Sequence, residues 1–171
     1  MSDGDLLSWP SFVLKQVTCP EGTPDEIRQA LSGRGVPARS VGGEYAALNR
    51  AVFLEAAPHL LAFGRSVGTE RICVDVRSLE VVHVSRLDVP RAHPVNANLA
   101  AFCASIEVAI ARFPYYTYET VDEQGGEVAR ELREQLLKID EVTNAHNSFW
   151  ETFLDDVEMG NYATEEFQPK A

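Results

Sequence analysis

The chain has 171 residues, of which 45% are apolar and 24% charged, as is ordinary for a soluble globular protein of one domain. No apolar run reaches the roughly 20 residues that a membrane-spanning helix needs. The N-terminus also lacks the basic and then apolar pattern of a signal peptide. We therefore expect a single domain over residues 1–171, located in the cytoplasm and without a membrane partner. The three widely spaced cysteines predict small buried side chains, not a disulfide framework or a zinc site.

The formal net charge of −11 is concentrated in the last third of the chain. Residues 119–171 carry 14 acidic and four basic side chains, whereas residues 1–118 carry 12 acidic and 11 basic ones. A field of this sign repels nucleic acid and attracts basic partners, although acidity also keeps a protein soluble. Composition therefore argues against nucleic-acid binding and leaves a basic protein partner and solubility as two explanations.

Residues 1–22 are weakly periodic and predict an N-terminal extension with a short helix around residues 12–17. The segment that follows, TPDEIRQALSGRGVP, predicts a clear helix. Thr23 is a good N-cap, and Glu26 three residues later completes a capping box. Either glycine of SGRG would end this helix in a left-handed turn.

Residues 50–63 and 70–87 predict strands. In the second stretch RICVDV alternates in polarity, and EVVHVS follows after a short connection, which predicts an antiparallel hairpin. The connection Arg77–Leu79 lacks the Asn-Gly or Asp-Gly pair of a strong hairpin, so the turn type stays open.

Beyond these strands the pattern changes to helices. The first has an apolar face with helical spacing, begins with Asn96 or Asn98 as cap, and stops at Pro114. The segment YYTYETVDEQGG is predicted to be a loop, and a second helix is predicted over residues 126–139. Clustered strands followed by helices favour an α+β fold with a central, mostly antiparallel sheet flanked by helices and a C-terminal helical segment.

The last helix lies in NSFWETFLDDVEMGN, where Ser148 and Glu151 form a second capping box and Gly160 ends the helix. Its apolar side chains share one face and are predicted to be core: Phe149, Trp150, Phe153, Leu154 and Val157. Acidic side chains occupy another face: Glu151, Asp155 and Glu158, with Asp156 beside the apolar face. Only the acidic side is therefore a candidate for function.

No motif of a catalytic, phosphate-binding or metal site is present in the sequence, and the four histidines lie on separate elements. We therefore expect neither an enzyme nor a cofactor. Tyr115, Tyr116 and Tyr118 are candidates for a binding surface, because tyrosine is enriched at interaction hot spots. The alternative is that two of the three pack against the sheet.

Three segments together resemble a known family: RICVDVRSLEVVHVS, PVNANLAAFCASIE and LLKIDEVTNAHNSFWETFLDDVEMGNY. They are similar to the SUKH superfamily of Smi/Knr-like bacterial immunity proteins, most closely its fourth subfamily, over roughly residues 30–162. The matching positions are Ile72, Cys73, Val74, Asp75, Val81, Val82, Asn96, Leu99, Phe102, Ile139, Asp140, Trp150, Asp156, Val157 and Gly160. The chain departs from the family pattern at RSLE, which lacks the usual Thr-Gly, and at Asn98, where serine is typical.

The resemblance implies an α+β fold and a non-enzymatic protein that binds and blocks a cognate toxin, often a nuclease or a nucleic-acid deaminase. Because such toxins bind phosphate, we expect a basic cleft on the partner that an acidic surface fills. The hypothesised partner-binding residues are Tyr115, Tyr116, Tyr118, Asp140, Glu141, Glu151, Asp155, Asp156 and Glu158. The alternative is a SUKH-like intracellular scaffold or regulatory domain with a non-toxin partner. The oligomeric state stays open.

Overall fold

A five-stranded antiparallel sheet forms the centre of the computed structural model, which describes residues 6–169. The strands in chain order are β1 (Leu7–Ser8), β2 (Leu14–Lys15), β3 (Val36–Pro37), β4 (Ala46–Leu54), β5 (Ala57–Arg65), β6 (Arg71–Asp75), β7 (Val81–Val84), β8 (Ala92–Asn96) and β9 (Phe167–Gln168). The helices are α1 (Asp25–Arg28), continued by a π-helical turn (Gln29–Arg34), α2 (Leu99–Arg112), α3 (Val121–Ile139) and α4 (Phe149–Met159). Short 3-10 turns lie at Glu141–Asn144 and Thr164–Glu166. The predicted α+β class is confirmed.

The central sheet is a meander in which β4 to β8 pair in chain order. The predicted hairpin is β6 and β7, with Val74 opposite Val81. The predicted strand stretch 50–63 resolves into two paired strands, β4 and β5. The sequence did not predict β8, which contains Pro94. A proline is tolerated there because β8 is an edge strand, in which one side has no neighbouring strand to accept N–H groups.

Alternation along the strands divides the apolar residues between the two faces of the sheet. Leu61 and Phe63 of β5 belong to the main core together with α2, α3 and α4. Leu60 and Ala62 of the same strand belong to a smaller cluster on the other face. Among residues 6–169, that smaller cluster contains no side chain from a helix, so the helices cover one face.

The N-terminal predictions were partly wrong. Residues 12–17 form no helix; β2 lies there and pairs antiparallel with β3, and the Val17 N–H donates to Leu31 O at 2.8 Å. Thr23 does not cap α1, because its hydroxyl donates instead to the carbonyl of Pro20 at 2.8 Å. The π-helical turn ends at Gly35, whose φ of +89° suits glycine. Residues 1–5 of the predicted extension lie outside the described part of the chain.

The helices of the second half follow the sequence more closely. The Asn98 side chain caps α2 by accepting the Ala101 N–H at 2.8 Å, and α2 ends before Pro114 as predicted. In contrast, α3 begins at Val121 instead of residue 126. The sequence prediction failed because Gly125 and its neighbour suggested a loop, although both lie inside the helix.

Candidate partner-binding site

The faces of α4 are arranged as its periodicity predicts. Its five apolar side chains are buried in the main core, and Trp150 is 1% exposed. Asp155 and Glu158 are exposed, whereas Glu151 and Asp156 are half-buried. The helix therefore attaches to the core through one side and presents carboxylates on the others.

The two ends of α4 are fixed by short-range contacts. The Ser148 hydroxyl accepts the Glu151 N–H at 3.0 Å, and the Glu151 carboxylate accepts the Asn147 N–H at 2.5 Å. The Asn147 N–H, followed by His146, lowers the pKa of Glu151 below its usual value. At the other end, Gly160 adopts the left-handed conformation that the sequence predicts. Glu151 is thus engaged in holding the start of the helix.

The first turn of α3 packs closely against the last turn of α4. A Cβ atom added at Gly125 would lie 3.0 Å from the carbonyl oxygen of Glu158, and one at Gly160 would lie 2.9 Å from Val121 Cγ2. Glycine at both positions therefore allows the close approach. Asp122 and Glu123 are exposed and directly follow Val121, so this part of the backbone lies beside the acidic end of α4.

Acidic side chains from three segments gather at this end of the helical pair. Together with Tyr118 they form what we call the acidic surface: Tyr118, Asp122, Glu123, Asp155, Glu158, Glu165 and Glu166. The C-terminal segment joins it through Tyr118, whose backbone N–H donates to the Glu165 carboxylate at 3.1 Å and whose hydroxyl donates to Glu166.

The basic side chains of α3 lie in the middle and at the end of the helix, at Arg130, Arg133 and Lys138. Its ion pairs among residues 6–169 are Arg112–Glu131 and Arg130–Glu134, both at 2.9 Å. The positive charge of Arg133 contributes to lowering the pKa of Glu151, at the start of α4. Lys170 lies outside the described residues. Among residues 6–169, none of the carboxylates of the acidic surface forms an ion pair with a lysine or an arginine.

Of the three candidate tyrosines, two are buried and one is exposed. Tyr115 and Tyr116 are buried, and their hydroxyls donate to the carbonyls of Ala109 and Val157. Burial raises the pKa of both. Tyr118 is 50% exposed and lies in the acidic surface. Burial of the large apolar rings favours the core position of the first two, and a hydrogen bond to a carbonyl satisfies each buried hydroxyl.

Asp140 is also placed in the interior, contrary to its proposed surface role. Its carboxylate accepts the N–H groups of Ala97 at 2.7 Å and Val142 at 3.0 Å, and an Asn96 amide N–H at 3.0 Å. The same Asn96 side chain accepts the indole N–H of Trp150 at 3.0 Å. Asp140 therefore connects β8 with the segment after α3, whereas its neighbour Glu141 is exposed.

A groove of about 500 Å³ lies between the first half of α4 and one end of the sheet; we call it the α4 groove. Its walls come from segments far apart in the chain, including the loop at residues 42–44, the turn between β5 and β6, and strands β7 and β8. Of the residues that line it, only Asp156 was a candidate binding residue from the sequence. No spacing pattern signals such a site, since its residues meet only in the folded chain.

Within residues 6–169 there is no group of three or more histidine, cysteine, aspartate or glutamate side chains placed to hold a metal ion. No helix in the same range is long and apolar enough to cross a membrane. All three cysteines have free thiols; Cys73 is buried and the other two are partly buried.

A model of the SUKH-4 immunity protein family matches residues 13–156. The chain belongs to the SUKH-4 immunity protein family. This confirms the predicted subfamily, and the match begins nearer the N-terminus than the predicted residue 30. Searches of curated proteins and of solved structures found no match. Family membership supports an immunity role.

In this SUKH-4 protein, the second and third segments that carried the resemblance meet in one buried network. Asn96 from the second segment bonds to both Asp140 and Trp150 from the third. Its amide also donates to the Ser105 hydroxyl at 3.1 Å. Buried polar groups need such partners, so these positions hold β8, α2 and α4 in register. The network gives Asn96, Asp140 and Trp150 a structural role in this fold.

Proposed function

We propose that this SUKH-4 protein neutralises a cognate bacterial toxin, a nuclease or a nucleic-acid deaminase, by covering a basic region of the toxin with its acidic surface. The observation that carries the proposal is the gathering of carboxylates at the joined ends of α3 and α4, none of which forms an ion pair within residues 6–169. Proteins that act on nucleic acid bind phosphate through basic clefts, and a carboxylate-rich surface complements such a cleft.

The extent of the acidic surface matters, because a stable protein interface buries about 1,600 Å² in total. One helix does not supply that area. The acidic surface draws on three segments: the start of α3, the end of α4 and the C-terminal residues around Glu165. Tyr118 supplies the aromatic contact that often anchors such interfaces.

Not every candidate carboxylate is suitable for a charge-reversal test. Glu151 holds the start of α4 through the Asn147 N–H, so reversing it would disturb folding as well as charge. Asp122, Asp155 and Glu158 are exposed and belong to the acidic surface. A triple variant with lysine at these three positions changes the surface with least risk to the fold.

The test is co-expression with the protein encoded by the neighbouring gene, scored by growth and by recovery of a complex. We expect the parent to restore growth and the triple lysine variant to fail. The matched control places lysine at Glu21, Glu26 and Glu55, which are exposed and lie outside α3 and α4. Equal rescue of growth by both variants would contradict a role of the acidic surface in binding the toxin. A complex without any effect on growth would favour a scaffold.

A further inference from the structure

The walls of the α4 groove carry three carboxylates and no lysine or arginine. Glu44 comes from the loop before β4, Glu70 from the turn before β6, and Asp156 from α4. Because separate segments supply them, the charges converge on a cavity and do not simply follow one solvated helix face. A cleft lined by one sign of charge concentrates its potential at the opening.

The carboxylate of Glu44 is held in the groove by uncharged donors. It accepts the Gly42 N–H at 2.9 Å and the hydroxyls of Ser40 and Tyr162. Burial, followed by the neighbouring Glu44 carboxylate, raises the pKa of Tyr162, so this hydroxyl remains a donor. The negative charge of Glu44 is therefore positioned without being neutralised.

Each of the other two carboxylates contacts one side chain, and the contact between Glu70 and His83 is an ion pair when the imidazole is protonated. Glu70 lies 2.8 Å from the ring Nε2 of His83, and Asp156 accepts an amide N–H of Asn161 at 3.1 Å. Among residues 6–169, none of the three groove carboxylates forms an ion pair with a lysine or an arginine. The groove thus keeps room for a cation from another molecule.

The remaining wall of the groove is largely apolar and aromatic. Phe149, Phe153 and Tyr162 contribute to it beside the His83 ring. A lysine or an arginine side chain matches this combination, because its stem packs on apolar surface while its charged head needs carboxylates. Aromatic rings also attract cations through their faces.

We propose that the α4 groove accepts a lysine or arginine side chain from the protein partner. The inference rests on the proposed function, since it requires a partner with basic residues, and it assigns one defined subsite to that partner. In this arrangement the partner contacts α4 on two sides: at the acidic surface and at the side that carries Asp156.

The groove is tested first by NMR titration of the full chain with the peptide acetyl-Gly-Gly-Arg-Gly-Gly-amide. We expect saturable shifts of backbone amides around the groove, at Gly43, Glu70 and Thr152. The same peptide with citrulline, an uncharged analogue of arginine, should produce no saturable shift. Equal shifts with both peptides, or shifts confined to the acidic surface, would overturn the inference.

A double variant, Glu70→Gln with Asp156→Asn, then tests the groove against the partner itself. We expect its affinity for the neighbouring gene's product to fall about tenfold, because two charges facing the cation are lost. The matched control, Glu26→Gln with Glu55→Gln, makes the same charge change at exposed positions away from the groove and should bind as the parent does.

The outcomes separate this inference from the proposed function. If the parent does not bind the neighbouring gene's product, the proposed function fails. The peptide titration alone then shows whether the α4 groove binds an arginine side chain. If the parent and the groove variant bind equally well, the groove inference fails while the proposed function stands. A parent dimer that the groove variant dissociates would assign the groove to self-association and would also overturn the inference.

Discussion

Replacing Trp150 tests the packing of α4 against the core. The side chain is 1% exposed, and its ring packs edge-on against Phe149 and Phe153, with centroids 5.1 and 5.5 Å away. Truncation of a buried tryptophan to alanine costs about 3–5 kcal/mol in the free energy of unfolding. The loss of the indole N–H also leaves Asn96 Oδ1 without its partner, which adds about 1–3 kcal/mol.

Trp150→Phe separates these two contributions, because it keeps an aromatic ring and removes the N–H. We expect it to cost about 2–3 kcal/mol, most of it from the unpaired Asn96 oxygen, and Trp150→Ala to cost clearly more. The assay is urea unfolding at pH 7 followed by circular dichroism, which does not depend on tryptophan as the reporter. Leu137→Ala is the control, since Leu137 is 42% exposed and its truncation should change stability by about 0.5 kcal/mol or less. A Trp150→Ala variant within about 1 kcal/mol of the parent would refute the proposed packing.

Three further predictions concern the helix pair. Gly126→Ala should stabilise the protein by about 0.5–1 kcal/mol, because the atom nearest to the added Cβ is the end of a flexible side chain at 3.9 Å. Gly125→Ala should destabilise the protein, because its added Cβ would lie 3.0 Å from the carbonyl oxygen of Glu158. Thermal unfolding compares the two variants, and a shift of the same sign in both would contradict the close approach. Ser148→Ala should cost about 1 kcal/mol through loss of the N-cap, measured by urea unfolding; no loss would argue against the cap. Because the folded state lowers the pKa of Glu151, its charge contributes stability at neutral pH that is lost as the pH falls below its usual value of 4.5, so the stability difference between Glu151→Gln and the parent should shrink in acid. A difference that stays constant from pH 7 to pH 3 would contradict this reasoning.

The parts of the fold that the sequence predicted well are those set by local chemistry. Asn98 caps α2, Gly160 ends α4, and the alternation in RICVDV marks β6, because each depends on neighbours a few residues away. The start of α3 was missed because Gly125 normally disfavours a helix interior. A glycine is needed at this position because the Glu158 carbonyl of α4 approaches it closely. That contact joins residues more than thirty positions apart, so no local sequence pattern indicates it.

The candidate site was predictable only in part for the same reason. Helical spacing separated the acidic side of α4 from its core side, and exposure confirmed that division for Asp155 and Glu158. Spacing gave no indication that Asp140 would turn inward to Asn96, 44 residues away. The α4 groove was equally hidden, since Glu44 and Asp156 become neighbours only through the tertiary fold.

The most direct test of the account is the salt dependence of binding between this protein and the product of the neighbouring gene. If the acidic surface makes the contact, association should be fast at low salt and should weaken steeply as ionic strength rises. Lysine at Asp122, Asp155 and Glu158 should remove most of both the affinity and the salt dependence. Binding that is insensitive to salt and unchanged in the triple variant would contradict the central claim.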